Sequence, residues 1–326
     1  VRVLLTGIAG FIGSHIVEHL QANTDWDIIG LASFRHRGDA LRADSFGPQV
    51  TIHHADLTAP ISERQAERIG PIDYIINAAA ESHVDRSIED PRPFIENNVS
   101  TAITMLEYAR LVKPLAFVQV STDEVYGPAP VGHFAAEWDA IVPSNPYAAS
   151  KAAQEAIAIS YWRTYGVPVV ITNTMNNFGE RQDTEKYIPM LIRRIAAGEK
   201  VTVHGSPKQI GSRFYLHARN HADALLFILE QLTPATYPKR ARPSRYNVVG
   251  ESEIDNLELA REVADLVGKP LDYELLDFHA TRPGHDARYA LDGGTLRTLG
   301  WTPPVGLHES LARTVAWTMA NPEWLR

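Results

Sequence analysis

The stretch Thr6-Gly7-Ile8-Ala9-Gly10-Phe11-Ile12-Gly13 limits what this chain can fold into more than any other. It follows the apolar run Val1-Arg2-Val3-Leu4-Leu5, which reads as a short buried strand. It opens into Phe11 to Ala22, where Ile12, Ile16, Val17 and Leu20 fall on one helical face. Strand, glycine turn and helix in that order begin a parallel β-α-β unit. Glycine permits the tight turn, and its missing side chain lets backbone N–H groups at the helix start approach a pyrophosphate. Gly7, Gly10, Phe11, Ile12 and Gly13 are therefore expected to hold a dinucleotide. The competing reading is an ordinary turn with incidental glycines.

The pattern repeats. Residues 27–32, 50–54, 72–77, 115–120 and 167–172 read as strands, with helices such as Asn98–Leu111 and Tyr147–Tyr165 between them. The predicted fold is α/β, a Rossmann-like doubly wound parallel sheet with right-handed crossovers. Beyond about Asn173 the regularity weakens into a helix at Tyr187–Gly198, a late strand of the same sheet at 246–249 and a helix at Leu257–Val267. The expected division is a dinucleotide-binding part at 1–172, rejoined by a strand and helix from about 212–250. Residues 173–211 and 251–326 would form a smaller C-terminal substrate-binding lobe. A chain of 326 residues, 44% apolar, can bury the core this requires.

Charge and composition narrow the partners. A net charge of −8 argues against a nucleic-acid or anionic-membrane surface. There is no cysteine, so disulfides and thiolate metal sites are excluded; no metal is expected, and a cytoplasmic location fits. No apolar run approaches the roughly 20 residues of a membrane span, and the N-terminus reads as a strand rather than a signal peptide.

The G-x-x-G-x-x-G spacing resembles the fingerprint of the extended short-chain dehydrogenase/reductase superfamily. A dinucleotide site often has an acid at the end of the second strand, bonded to the ribose. Here that region reads Leu31-Ala32-Ser33-Phe34-Arg35-His36-Arg37, without one. Ser33, Arg35 and Arg37 would instead neutralise a 2′-phosphate, so NADP is expected, with NAD the alternative. The resemblance places Asp56 at the adenine with Leu57 beside it. Ala78, Ala79 and Ala80 are small enough to let backbone lie against the cofactor, and the resemblance adds Asn98 and Ser121 to the same site.

Tyr147 and Lys151 stand four apart and share a helix face. An ammonium near a phenol lowers its pKa and holds the cofactor ribose, so the phenolate can take a hydroxyl proton as hydride leaves the same carbon. Thr122 is the expected hydroxyl partner. Directly after it come two adjacent carboxylates, Asp123 and Glu124. Oxidation of a sugar carbon to a ketone acidifies the neighbouring C–H. One carboxylate can remove that proton while a second, still protonated, expels a hydroxyl as water. Neighbouring carboxylates resist joint ionisation, which favours this division of roles. A solvated acidic turn is the competing reading.

Ser121-Thr122-Asp123-Glu124-Val125-Tyr126-Gly127 resembles the signature of the dTDP-glucose 4,6-dehydratase family. Residues 79–87, 282–290 and Asn176-Asn177-Phe178-Gly179 resemble further family segments, and the likeness runs from residue 1 to the region of Trp324. The resemblance implies that Tyr147, supported by Lys151 and Thr122, is the base for oxidation at C4. Glu124 would take the C5 proton, Asp123 would protonate the departing C6 hydroxyl, and hydride would return to C6 to give a 4-keto-6-deoxy sugar. His83 and Ser87 would border the sugar and phosphates, Asn176 would meet sugar or phosphate, and Tyr289 would lie near the nucleotide. Thr122, Lys186, Arg213 and Arg282 complete the implied substrate set. A homodimer through a four-helix bundle is also implied, with Ala102, Met105, Leu106, Ala109, Ala153, Ile157 and Tyr161 facing outward.

The chain departs from the family at four places. The acid after the second strand is missing, Glu180 replaces a Pro, Gly211-Ser212 replaces Arg-Asp, and Thr281 stands at an Asp position. The alternatives are a nucleotide-sugar 4-epimerase or related enzyme of the superfamily, and a non-catalytic NADP-binding sensor.

Overall fold

A computed structural model describes residues 1–34, 39–206, 209–276 and 287–325. Its strands are β1 (Arg2–Thr6), β2 (Asp27–Ala32), β3 (Val50–His54), β4 (Tyr74–Asn77), β5 (Ala116–Thr122), β6 (Val169–Thr174), β7 (Asn176–Phe178), β8 (Val201–Ser206), β9 (Gln209–Ile210), β10 (Ser212–His217), β11 (Ser244–Val248), β12 (Glu253–Asp255) and β13 (Tyr273–Leu276). Its helices are α1 (Phe11–Asn23), α2 (Ala40–Ala43), α3 (Glu63–Ile69), α4 (Val84–Glu89), α5 (Arg92–Val112), α6 (Pro146–Tyr165), α7 (Tyr187–Ala197), α8 (Ala218–Gln231), α9 (Asn256–Val267), α10 (Gly294–Thr298) and α11 (Leu307–Ala320).

Seven strands pair in parallel in the order β11-β6-β5-β4-β1-β2-β3. Period-2 alternation sends Val3 and Leu5 to one face, where α1 and α8 cover them with Ile16, Leu20, Leu225 and Ile228. Leu4, Ile75 and Phe117 go to the other face, under Met105 and Leu106 of α5 and Trp162 of α6. Both faces are covered, which is why these strands read as unbroken apolar runs. The order reverses between β1 and β4, so a crevice opens at the C-terminal ends of these strands.

The second part is built from two small sheets, β12-β10-β7 and β13-β8-β9. Its core brings Leu191 and Ile192 of α7, Val263 of α9 and Leu311 of α11 together. The late strand expected at 246–249 is found at 244–248, whereas β10, which opens the segment assigned with it from about 212, pairs with β7 and β12. The chain rejoins the large sheet at β11, beside β6.

Two further differences have physical reasons. α5 begins at Arg92 rather than Asn98, because Pro93 sits in its first turn, where a missing N–H is harmless. Of the residues expected to face a dimer partner, Met105, Leu106 and Ala109 are instead buried against the chain's own sheet, and Ala102 is buried too. Ile95, Ile103 and Leu111 are the exposed apolar side chains of α5, while Ile157 and Tyr161 of α6 are half-buried.

Candidate active site

A cleft of roughly 620 Å³ lies over the reversal point, lined by the large sheet on one side and by the smaller part on the other. At its floor the glycine turn is closed by a hydrogen bond from Gly10 N–H to Gly7 O at 2.8 Å. Gly7 has φ +69, and a Cβ on Gly13 would stand 2.1 Å from Gly7 O. The turn therefore exists only without those side chains. Gly10 caps α1 without any side-chain hydrogen bond, so the first-turn N–H groups of Phe11, Ile12 and Gly13, all cleft residues, have no side-chain acceptor at the cap. This bare helix N-terminus fits an anionic pyrophosphate. Ala78, Ala79 and Ala80 line the adjoining wall, with Ser33, Asp56 and Leu57 further out. Asp56 Oδ1 accepts from Thr58 N–H at 3.1 Å and shapes its own loop.

β5 continues to Thr122, paired with Thr174 of β6, and so carries Ser121 and Thr122 to the cleft as strand residues. A single 3-10 turn, Asp123–Tyr126, follows. The Thr122 hydroxyl donates to Asp123 Oδ1 at 2.9 Å. Asp123 is 3% exposed, and its Oδ2 has no partner among the described residues. Burial, followed by the charge of Glu124, raises its carboxyl pKa from 3.8 to about 7. Glu124 is held differently, accepting at Oε2 from Asn145 Nδ2 at 3.0 Å. One carboxyl is thus dry and keeps its proton up to about neutral pH, while the other is hydrogen-bonded to an amide.

Asn145 also caps α6, accepting from Ala148 N–H at 2.9 Å with Pro146 in the first turn. Tyr147 and Lys151 follow on that helix and line the same cleft. The Tyr147 phenol stays strongly protonated, because burial and then Glu124 oppose its ionisation while a hydrogen bond with Thr122 favours it. Lys151 is anchored by acceptors on β5 and within α6. Its Nζ donates to Val120 O at 2.7 Å and to Gln154 Oε1 at 2.6 Å, and burial lowers its pKa to about 8.

Comparison with known proteins follows this geometry closely. The GDP-mannose 4,6 dehydratase family matches residues 4–314. A dTDP-glucose 4,6-dehydratase of Salmonella typhimurium is 35% identical over 352 residues, covering 99% of this chain and 94% of its own length. The chain belongs to the GDP-mannose 4,6-dehydratase family. DesIV, a dTDP-glucose 4,6-dehydratase of Streptomyces venezuelae solved with NAD bound, matches over the full length of both chains with a TM-score of 0.87 at 34% identity. The dTDP-glucose 4,6-dehydratase of Bacillus anthracis, in complex with NAD, gives a TM-score of 0.87 at 29% identity, covering 100% of this chain and 99% of its own.

Of the residues through which the sequence resembles these dehydratases, His83, Asn176, Lys186, Arg213 and Tyr289 all reach the cleft. His83 Nε2 stands 3.5 Å from Glu185, and the Lys186 ammonium donates to Ser82 O at 3.2 Å. Arg213 donates to Ser212 O and Ala287 O, each at 2.7 Å, and lies over the Tyr289 ring at 4.7 Å. Two expected site residues are buried behind the cleft wall instead. Ser87 donates to Val84 O at 2.7 Å and accepts from Tyr147 N–H at 3.2 Å, so it seats the start of α6. Asn98 accepts from Glu81 N–H at 2.8 Å and donates to Ser150 Oγ at 2.8 Å, so its side chain is fully used within the protein. Arg35, Arg37, Thr281 and Arg282 lie outside the described residues. The expectation of NADP rested on two of them, and both family structures above hold NAD rather than NADP.

Sequence reasoning missed several cleft residues. Asn145, buried behind the cleft where it holds Glu124, had a legible signal, an Asn directly before a helix-starting Pro. Arg194, Thr202, His204, Tyr215 and Asn256 come from four separate elements, and no local pattern links them. Glu180, the departure from the family's Pro, is also explained. It is buried, with Oε2 3.0 Å from His217 Nε2 and Oε1 accepting from Arg313 Nε at 3.1 Å. Its backbone O lies 3.0 Å from His15 Nε2. Burial works against its charge, yet the His217 contact holds its carboxyl well below the usual range. The carboxylate thus pins the Gly179 loop to the end of β10 and to α11, while the backbone carbonyl meets α1.

Proposed function

We propose that this chain is a nucleotide-sugar 4,6-dehydratase, a lyase that converts a dTDP-glucose-like nucleotide-diphospho-hexose to its 4-keto-6-deoxy sugar. The observation that carries the reading is that Asp123 and Glu124 share one cleft with Thr122, Tyr147 and Lys151. When bound, a nicotinamide dinucleotide supplies the acceptor for the C4 hydride and gives it back at C6. The cofactor is NAD, as in the two family structures. Tyr147 receives the C4 hydroxyl proton, with Thr122 in its hydrogen-bond path. The phenol is held protonated by burial and by the acids, so its proton leaves only where positive charge is near; Lys151 is the fixed source of it. Glu124, steadied by Asn145, takes the C5 proton. Asp123, poised near neutrality, gives its proton to the C6 hydroxyl, and water leaves. Residues 1–172 with α8 and β11 hold the dinucleotide. The rest of the chain, through Lys186, Asn176, Arg213 and Tyr289, holds the sugar nucleotide, with His83 meeting it from the dinucleotide side. The working form is a cytoplasmic homodimer in which the outer faces of α5 and α6, with Ile103, Ile157 and Tyr161, meet their copies.

A 4-epimerase would use Thr122, Tyr147 and Lys151 but has no work for a dry, half-ionised acid beside them. The test is incubation with dTDP-glucose, UDP-glucose and GDP-mannose, followed by mass measurement. Loss of one water from dTDP-glucose, with no net cofactor reduction, is expected, together with tighter binding of NAD than of NADP. An unchanged mass with a new epimer would overturn the reading.

A further inference from the structure

Behind the reacting side chains runs a buried line of amides that the chemistry above does not use. It begins at Thr6, just before the glycine turn, whose Oγ1 accepts the N–H groups of Ala78 and Ala79, both at 3.0 Å. The Thr6 hydroxyl proton must therefore point away, and it is donated to Asn77 Oδ1 at 2.8 Å. That choice fixes the Asn77 amide, whose Nδ2 donates to Gln119 Oε1 at 2.9 Å. Gln119 Nε2 in turn reaches Gln154 Oε1 at 3.2 Å. From the other side, Gln154 Nε2 donates to the Asn98 backbone O at 2.7 Å. A carbonyl only accepts, so both ends of the line dictate the same orientation, and Gln154 Oε1 must face Lys151. Asn77, Gln119 and Gln154 are all fully buried.

The lysine has little else to keep its charge. Among the acids near it, Glu155 is paired with Arg245 and also takes a hydrogen bond from Asn173 at 2.7 Å. Asp123 is raised towards neutrality and Glu124 is held by Asn145. Tyr147 is protonated, and the side chains of α4 and α5 that hydrogen-bond to this part of α6, Ser87 and Asn98, are neutral. Burial lowers the lysine's pKa and the charge of Glu155 raises it, so its hydrogen-bond acceptors share in sustaining the buried ammonium. Two of its three N–H groups are taken, by Val120 O and by Gln154 Oε1, leaving one for the cleft.

We infer that Gln154 is a positioning residue that keeps Lys151 charged and aimed into the cleft, and that its own orientation is set by Asn98 and by the line from Thr6. This rests on the reading that Lys151 serves the dinucleotide there. The geometry also ties the lysine to the turn that receives the pyrophosphate, since both ends of one hydrogen-bonded line belong to the same site.

The test is calorimetric titration of the purified protein with NAD across the pH range around 8. Affinity should fall as pH rises through the lysine's pKa. In Gln154→Met, which keeps the volume but removes the acceptor, that fall should begin about one pH unit lower. Binding should then be about fivefold weaker near the wild-type midpoint, about tenfold weaker above it and close to wild type well below it. In Gln154→Glu, which adds negative charge beside the ammonium, the fall should move to higher pH. A purely structural role predicts equal weakening at every pH in both variants. That result, or an unchanged profile, would overturn the inference. If Gln154→Met does not fold, the direction of the Gln154→Glu shift decides alone. Wild-type protein that turns over no sugar nucleotide would refute the proposed activity, yet the binding profiles would still judge Gln154. Normal dehydration by wild type with identical profiles in the variants would refute the inference only.

Discussion

Replacing Asp123 with Asn should stabilise the protein while disabling it. The carboxyl pKa rises from 3.8 to about 7 on folding, because burial and Glu124 both oppose its ionisation. Well below pH 4 the group is neutral in both folded and unfolded chains and contributes no difference. As pH rises from there, the unfolded chain releases the proton first, so the folded state is progressively disfavoured until the pH passes about 7. The shift is roughly three pKa units at about 1.4 kcal/mol each, so the penalty approaches on the order of 4 kcal/mol above neutrality. Asn is nearly isosteric, never ionises, and its Oδ1 can still accept from Thr122. Denaturant unfolding of wild type and Asp123→Asn across a pH series should therefore give a stability gap that is near zero in acid. The gap should open with rising pH in favour of the variant. Turnover should fall by about 100-fold or more, the usual contribution of a general acid. Deuterium from solvent should still enter C5 of the recovered sugar, because the base is intact. A stability gap independent of pH would refute the account of why this acid holds its proton. Wild-type dehydration by the variant would refute its role.

Glu124→Gln should leave NAD affinity unchanged, abolish deuterium entry at C5 and slow water loss by about 100-fold or more, as read by product mass. Gly13→Ala should fold, by circular dichroism, yet bind NAD at least about tenfold more weakly, because its Cβ would sit 2.1 Å from Gly7 O and force the turn open.

The large sheet was legible because its central strands are buried on both faces and punctuated by helices with clear apolar stripes. The candidate catalytic group was legible because its members lie close in sequence, at a strand end and within one helical turn. What escaped reading is non-local. β10 has the composition of any buried strand, and only its partners β7 and β12 reveal that it belongs to the smaller part. Ser87 and Asn98 are polar residues in segments that resemble the family's, yet their hydrogen bonds turn inward. Gln154 carries no local mark, because its importance comes from Asn98 and Gln119, both distant in sequence. The lysine's effect on the phenol was expected from their spacing. Spacing reports a shared helix face, whereas the actual direction of Nζ is set by acceptors on β5 and within α6.

The pairing of β11 with β6 shapes how this protein can be made and divided. The outermost strand of the dinucleotide layer is supplied only at residues 244–248, and α8, which packs on α1, arrives only at residues 218–231. A ribosome that has released the first 172 residues has produced a sheet with one bare edge and one uncovered face. Such a nascent chain presents a template for adhesion to its neighbours until the later segments emerge. The two parts are therefore interlaced rather than arranged in series, and no single proteolytic cut separates an intact dinucleotide-binding piece from the remainder.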